Sequence, residues 1–283
     1  MSKIAILTDT SATMPKSLMA QHNIHTVPHN IQWGEDSYLD SVNLQTSDFY
    51  ERLAKDPVIP TTAQITMPTF MEAYEKLAVD HDAILVILIS SGISGTIQGA
   101  QSAAAEFDKV PVEIIDSEST TGGLALVTLA AAEAVENGAT LEEAAAVARK
   151  VAENLHVYFV VDTLKYLHRG GRIGGASRYL GTMLSIKPIL TMAHKIDAVD
   201  RARGKKKAMK QLVSIVADKV QGQSVRAAIF HANVPETAVS VLNLCKEAMQ
   251  IEQDITLELS PVIGTHVGAG TVGIACYPIS CLD

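Results

Sequence analysis

The chain is poor in aromatic residues: Phe, Trp and Tyr make up 5% of its 283 residues, and there is one Trp. Proteins that hold single-stranded nucleic acid stack bases on such rings, so that mode is not expected here. Positive charge is also in the minority. Lys and Arg number 23 against 31 Asp and Glu, leaving a net charge of −8. That balance opposes broad attraction to phosphate backbones and anionic membranes, so neither nucleic acid nor stable membrane insertion is expected. Cysteines are few and odd in number: Cys245, Cys276 and Cys281. Their spacing fits no zinc pattern, and a chain this long can bury a core without disulfides. No P-loop, HExxH or EF-hand pattern occurs, so no metal and no cofactor is called for. Long hydrophobic runs are missing too. The apolar stretch from Leu124 to Ala132 leads into Glu133 and Glu136. It falls well short of the ~20 residues that span a bilayer, and reads as a core helix. The opening MSKIAILTDTS has one Lys and a short apolar run, the pattern of a strand and not of an export signal, so a cytoplasmic location is expected.

What is present is an alternation of strand-like and helix-like segments. Ala83 to Ile89 is apolar throughout, as in a strand covered on both faces, and is followed by Ser90-Ser91-Gly92-Ile93-Ser94-Gly95 and a helix from about Thr96 to Phe107. Val112 to Ile115 is a second such strand. Helices follow at about 120 to 136 and 140 to 154, the second opened by a capping box of Thr140 and Glu143. This half predicts a mainly parallel sheet with flanking helices. Beyond about residue 155 the strands come at hairpin-like spacing, with Ile186 to Met192 and Lys195 to Val199 paired around Ala193-His194. The expectation is a two-domain α/β protein: residues 1–155 with a mainly parallel sheet, and 156–283 with a largely antiparallel one.

Polar clusters punctuate this pattern at strand ends and turns: Asp9-Thr10-Ser11, Thr61-Thr62, Ser90 to Thr96, Asp116 to Thr121, Gly170 to Gly175 and Gly264 to Gly270. Carboxyl ends of strands in an open parallel sheet mark the ligand crevice, and free N–H groups there favour an anion. Ser94 suits either a helix cap or a ligand contact, and the two are compatible. Arg172 stands among Gly170, Gly171, Gly174 and Gly175, which permit close backbone approach around a fixed charge. Arg201-Ala202-Arg203-Gly204-Lys205-Lys206-Lys207 precedes an apparent helix, against the macrodipole, and reads as a solvated run or a docking surface. Gly268-Ala269-Gly270-Thr271-Val272-Gly273 matches the dinucleotide fingerprint but leaves ten residues for the helix, strand and acid that must follow, so it is rejected.

In order and number, these segments resemble the DegV family of fatty-acid-binding proteins. The resemblance is carried by Thr8-Asp9-Thr10-Ser11, Pro60-Thr61-Thr62-Ala63-Gln64, Ser90 to Thr96 and Asp116-Ser117. It continues through Asp162 to Leu167, Gly170 to Gly174, Ser185 to Ile189, Arg201 to Lys205 and Gly264 to Gly268, covering about residues 3 to 277. It implies a long-chain fatty acid bound between the two domains, in a carrier with no catalysis of its own. A separate ATP-dependent kinase would convert the acid to an acyl phosphate for lipid synthesis. Thr62 and Ser94 would hydrogen-bond the carboxylate, with Thr61 the alternative to Thr62, while Arg172, Arg201 and His266 would lie near the same mouth, serving the head group or the kinase complex. Arg201, Arg203 and Lys205 would dock the kinase. Met183, Leu184, Ile186 and Ile189 are candidate walls for the tail. Two other chemistries fit the residues. One is a serine hydrolase with Ser94 as nucleophile, His266 as base and Asp116 as orienter, although Gly92-Ile93-Ser94-Gly95-Thr96 lacks the full Gly-x-Ser-x-Gly pattern. The other is a small-anion enzyme or sensor using Arg172 and the basic run.

Overall fold

A computed structural model describes residues 3–181 and 186–282. Its first sheet is four-stranded and wholly parallel, in the order Ile24–Val27, Ile4–Asp9, Ala83–Leu88, Val112–Asp116. Ala83–Leu88 is buried along its whole length, as its unbroken apolar run requires. Its side chains divide by alternation: Leu85 and Ile87 enter one core, while Ile84, Val86 and Leu88 meet Phe70, Tyr74 and Ile97 from flanking helices.

The second sheet has six strands in the order Lys195–Arg203, Ile186–Ala193, His156–Val160, Val272–Pro278, Val225–His231, Ile251–Glu258. Four of its five pairings are antiparallel and the last is parallel, which bears out a largely antiparallel sheet. Val157, Phe159, Leu190, Met192 and Phe230 point to the face shared with the first sheet. Tyr158, Val160, Ile189 and Ile229 point the other way, onto the helices Lys205–Val220 and Pro235–Ala248.

Between the sheets lies the helix Thr121–Glu136, buried from Thr121 to Ala132. A helix apolar on every side needs protein on every side, and two sheets supply it. At Gly122 an added Cβ would lie 2.9 Å from the Ala228 Cβ, so a glycine lets the helix sit directly on the second sheet. The capping box at Thr140 and Glu143 is present. Among the described residues no helix is long and apolar enough to cross a membrane.

Three local expectations are corrected. From its sequence Ile24 to Trp33 is expected to be one extended stretch, but it is two strands in different sheets: Asn30–Trp33 joins Asp36–Leu39 and Thr61–Ala63 in a third, antiparallel sheet. Arg201 and Arg203 belong to the strand Lys195–Arg203, so only the lysines from Lys205 onward sit at a helix start. The Gly264 segment is the helix Pro261–Val267 and not a loop, because Gly264 lets it pack where a Cβ would meet Phe49 Cε1 at 2.5 Å. The rejected dinucleotide fingerprint runs straight into the strand Val272–Pro278.

Candidate functional site

Three short elements converge beside the carboxyl end of the parallel sheet. Thr61–Ala63 is a strand whose alternation turns Thr61 outward and Thr62 inward, the latter half-buried. The loop after Ala83–Leu88 brings Ser94 to the start of the helix Thr96–Glu106. Ser94 Oγ accepts from Thr96 N at 3.3 Å and lies 2.9 Å from Thr96 Oγ1. It thus takes up one free N–H at the helix start, although Gly95 occupies the cap position. The helix Pro261–Val267 contributes His266, whose Nε2 lies 2.7 Å from Thr62 Oγ1.

Arg172 completes this rim. Its Nε donates to Ile93 O at 3.1 Å and a terminal nitrogen donates to Gly170 O at 2.6 Å. Gly170 is the contact glycine here: a Cβ would lie 2.2 Å from His266 Nδ1. That Nδ1 is buried and has no hydrogen-bond partner. Burial, then the nearby Arg172 and His29 charges, push the His266 pKa down to about 4, so the ring is neutral at pH 7.

Thr62, Ser94, Arg172 and His266 all border one cleft of about 550 Å³ of empty space, its open mouth included. Behind it lies a second space of about 350 Å³, open solvent included, whose wall includes Phe159, Met192, Phe230, Leu259 and Ile263. The two share Thr120, Ile196, Ile263 and Val267, so the polar mouth and the apolar space adjoin across these side chains. Thr61 borders only an outer vestibule. Arg201, expected near the mouth, does not border it: Arg201 and Arg203 are exposed on an edge strand, and with Lys205 they stand apart from the mouth. The suggested tail walls need revision. Ile189 faces the opposite core, with Ala208 and Leu212, and Ile186 borders neither space. Met183 and Leu184 lie outside the described residues.

The hydrolase arrangement is not assembled. His266 Nε2 is engaged by Thr62, and Asp116 accepts from the backbone N–H groups of Ser91 and Glu118. No hydrogen bond joins Ser94, His266 and Asp116 among the described residues.

His29, which also borders the mouth, has no counterpart in the sequence reading. It is 3% exposed, and its Nε2 lies 3.1 Å from Asp9 Oδ1. Burial alone would lower the His29 pKa, but the Asp9 hydrogen bond and charge raise it above its ordinary value. Burial would likewise raise Asp9, yet His29 and bonds from Ser11 and Ile89 hold it below the usual carboxylate range. The result is a buried ion pair that presents a cation to the mouth. Asp40 behaves oppositely. Burial pushes its pKa up to about 6 despite bonds from Thr10, Val262 and Ser260 and the His29 charge. The folded protein therefore holds this proton more tightly than the unfolded chain, and ionisation costs stability as pH rises from about 4 through about 6. Asp40→Asn should be more stable than the parent at pH 7.5 by up to about 3 kcal/mol, with the advantage vanishing near pH 4. Urea unfolding at the two pH values checks this, and an advantage that does not depend on pH contradicts it.

This is an α/β protein of two large sheets and a small third one, with a cleft polar at the rim and an apolar space behind it. The family model described as "Uncharacterised protein, DegV family" matches residues 3–278. Protein DegV of Bacillus subtilis is 34% identical over 278 residues, covering 97% of this chain and 99% of that one. The chain belongs to the DegV family. Among solved structures, a fatty-acid-binding DegV family protein from Thermus thermophilus superposes with a TM-score of 0.92 at 30% identity, covering 98% of this chain and all of that one. DegV of Bacillus subtilis, described as a fatty acid binding protein, gives 0.89 at 32% identity, with coverage of 98% and 100%.

Proposed function

We propose that this protein binds one long-chain fatty acid between two lobes that meet near residue 155, and presents the carboxylate to an ATP-dependent kinase. The observation that carries the reading is the adjacency of two spaces, a cleft that bears the hydroxyls of Thr62 and Ser94 and an apolar space walled by Phe159, Met192, Phe230 and Ile263. The fatty acids bound by its relatives support it.

Affinity resides in the tail. Burying a 16-carbon chain is worth about 12 kcal/mol gross at ~0.8 kcal/mol per CH₂, before ordering and association costs. The head group sets orientation. Thr62 donates its hydroxyl proton to the carboxylate while neutral His266 donates from Nε2 to the Thr62 oxygen, so the ring fixes the direction of the Thr62 proton. Ser94 donates to the same carboxylate, and His29 and Arg172 supply positive potential. One carboxylate oxygen stays reachable. In the kinase complex it attacks the γ-phosphorus of ATP, the bond to the bridging oxygen breaks, and ADP leaves. The protein here acts as carrier and the kinase as catalyst. Arg201, Arg203 and Lys205 form the docking face.

Denaturing extraction and mass spectrometry of the purified protein tests this: a fatty acid should be released near one per chain. Protein that neither contains nor takes up any acyl chain contradicts the reading. Thr62→Val and Ser94→Ala should each weaken palmitate binding about 10- to 100-fold, the worth of a hydrogen bond to a charged acceptor. Titration calorimetry reads this, and near-parental affinity in both variants removes them from the head-group site.

A further inference from the structure

At the Asp9 end of the Asp9–His29 pair lies an open cleft of about 1320 Å³, its solvent mouth included. Asp9 borders this cleft and His29 borders the fatty-acid mouth, and the two spaces share no lining residue. Seven buried side-chain polar atoms among the described residues have no hydrogen-bond partner, and four of them belong to Thr8, Ser11, Thr13 and Asp40. Orphans of this kind in a native core call for an ion or an ordered water. Asp40 and Thr13 border the cleft, at 0% and 9% exposure. Asp40 Oδ1 accepts from Val262 N at 3.2 Å. Thr10 and Ser260 lie close to the same carboxyl, yet Oδ2 has no partner of proper hydrogen-bond geometry. Thr13 Oγ1 is equally unpartnered. Charge is unbalanced as well. Asp9 is paired with His29, whereas Asp40 makes no ion pair among the described residues, and exposed Glu258 adds a further carboxylate to the wall. Lys16 stands on the same wall, exposed, and pairs with neither.

We infer that this cleft binds a monovalent cation, with Asp40 Oδ2 as its charged ligand and the Thr13 hydroxyl as a neutral one. The site is separate from the fatty-acid cleft and does not depend on that reading. An all-oxygen donor set selects hard cations. Carboxylate and hydroxyl lone pairs suit alkali ions and ammonium alike. A divalent ion asks for more carboxylate charge, and no group of three or more His, Cys, Asp and Glu suited to a metal occurs among the described residues. With Asp9 and His29 cancelling, one positive charge matches the one negative charge that Asp40 leaves buried. The bound cation offsets the burial that makes ionising Asp40 costly. The other titratable groups around Asp40 are Asp9, His29, Glu258, Lys16 and the Tyr50 phenol, and of these only His29 and Lys16 oppose a cation.

Urea unfolding at pH 7.5 and one constant ionic strength tests this, with sodium, potassium or ammonium chloride compared with choline chloride, whose cation is too bulky for two oxygen ligands in a buried site. A ligand that binds only the folded state lowers the unfolding equilibrium constant in proportion to its occupancy. At least one small cation should lower that constant about fivefold or more in the parent, and the three salts distinguish an alkali ion from ammonium. Asp40→Asn should respond less than twofold, so its stability advantage over the parent should be largest in choline chloride. Near pH 4, where Asp40 is protonated, the parent's response should vanish. Thr13→Gly removes the hydroxyl at a left-handed position, φ 56°, that glycine adopts freely, and should respond less than the parent. A parent that unfolds alike in all four salts overturns the site. So does an Asp40→Asn variant that responds as the parent does, or a parent response that is as large near pH 4. If Asp40→Asn fails to fold, a full response in Thr13→Gly overturns it instead.

Discussion

Ile263→Trp should abolish fatty-acid binding. Ile263 is 6% exposed and borders both the mouth and the apolar space beside it, so a tail that runs from one to the other must pass it. An indole there fills the passage, so the tail must stay in water. Most of the gross ~12 kcal/mol from its methylenes is then lost, far more than any head-group contact supplies. Palmitate affinity should fall more than 100-fold. Overpacking a core costs about 1–3 kcal/mol, so circular dichroism and thermal unfolding must show that the variant folds. Met192→Trp approaches the channel from the six-stranded sheet and provides an independent plug. If both variants fold and bind palmitate within twofold of the parent, the tail does not occupy the channel.

Arg201→Glu with Arg203→Glu should separate carriage from turnover. Both arginines are exposed on the edge strand Lys195–Arg203 and point outward on either side of buried Ala202. Neither touches the mouth, so palmitate affinity should stay within twofold. The double reversal changes the local charge by four, and in the proposed docking it would replace attraction to the kinase with repulsion, which acts mainly on association rate. Acyl phosphate formation by the kinase should fall at least tenfold at low salt. The parent should lose part of the same rate as salt rises, because exposed charges are screened beyond about 8–10 Å at physiological ionic strength. Unchanged turnover in the double variant would place docking elsewhere.

Local sequence pattern located most of the scaffold and about half of the site. Ala83–Leu88 declared itself through an unbroken apolar run, and Thr140 with Glu143 through a capping box. Arg172 stood out among glycines and Ser94 at a strand-to-helix turn, whereas Thr62 and His266 were singled out through the family resemblance, and the fold brings all four to one cleft. His29 had no such flag. Its significance depends on Asp9, which lies 20 residues earlier at the end of the strand Ile4–Asp9, and no local period connects them. The channel walls were equally hidden. Phe159, Met192, Phe230 and Ile263 are ordinary apolar residues, and only the packing of two sheets around Thr121–Glu136 leaves a gap between them. The basic run misled by position: Gly204, with φ of 80°, ends the strand and starts the helix, so charges that read as one helix start fall on two elements. Thr61–Ala63 is too short to show a strand period, yet its alternation is what separates Thr61 from Thr62.

A crystal structure of the protein with palmitate is the most direct measurement. The carboxylate should lie about 2.5–3.2 Å from the hydroxyls of Thr62 and Ser94, with the tail running past Ile263 toward Met192 and Phe230. Lipid density outside the inter-sheet channel, or a carboxylate that points away from Thr62 and Ser94, would contradict the binding mode.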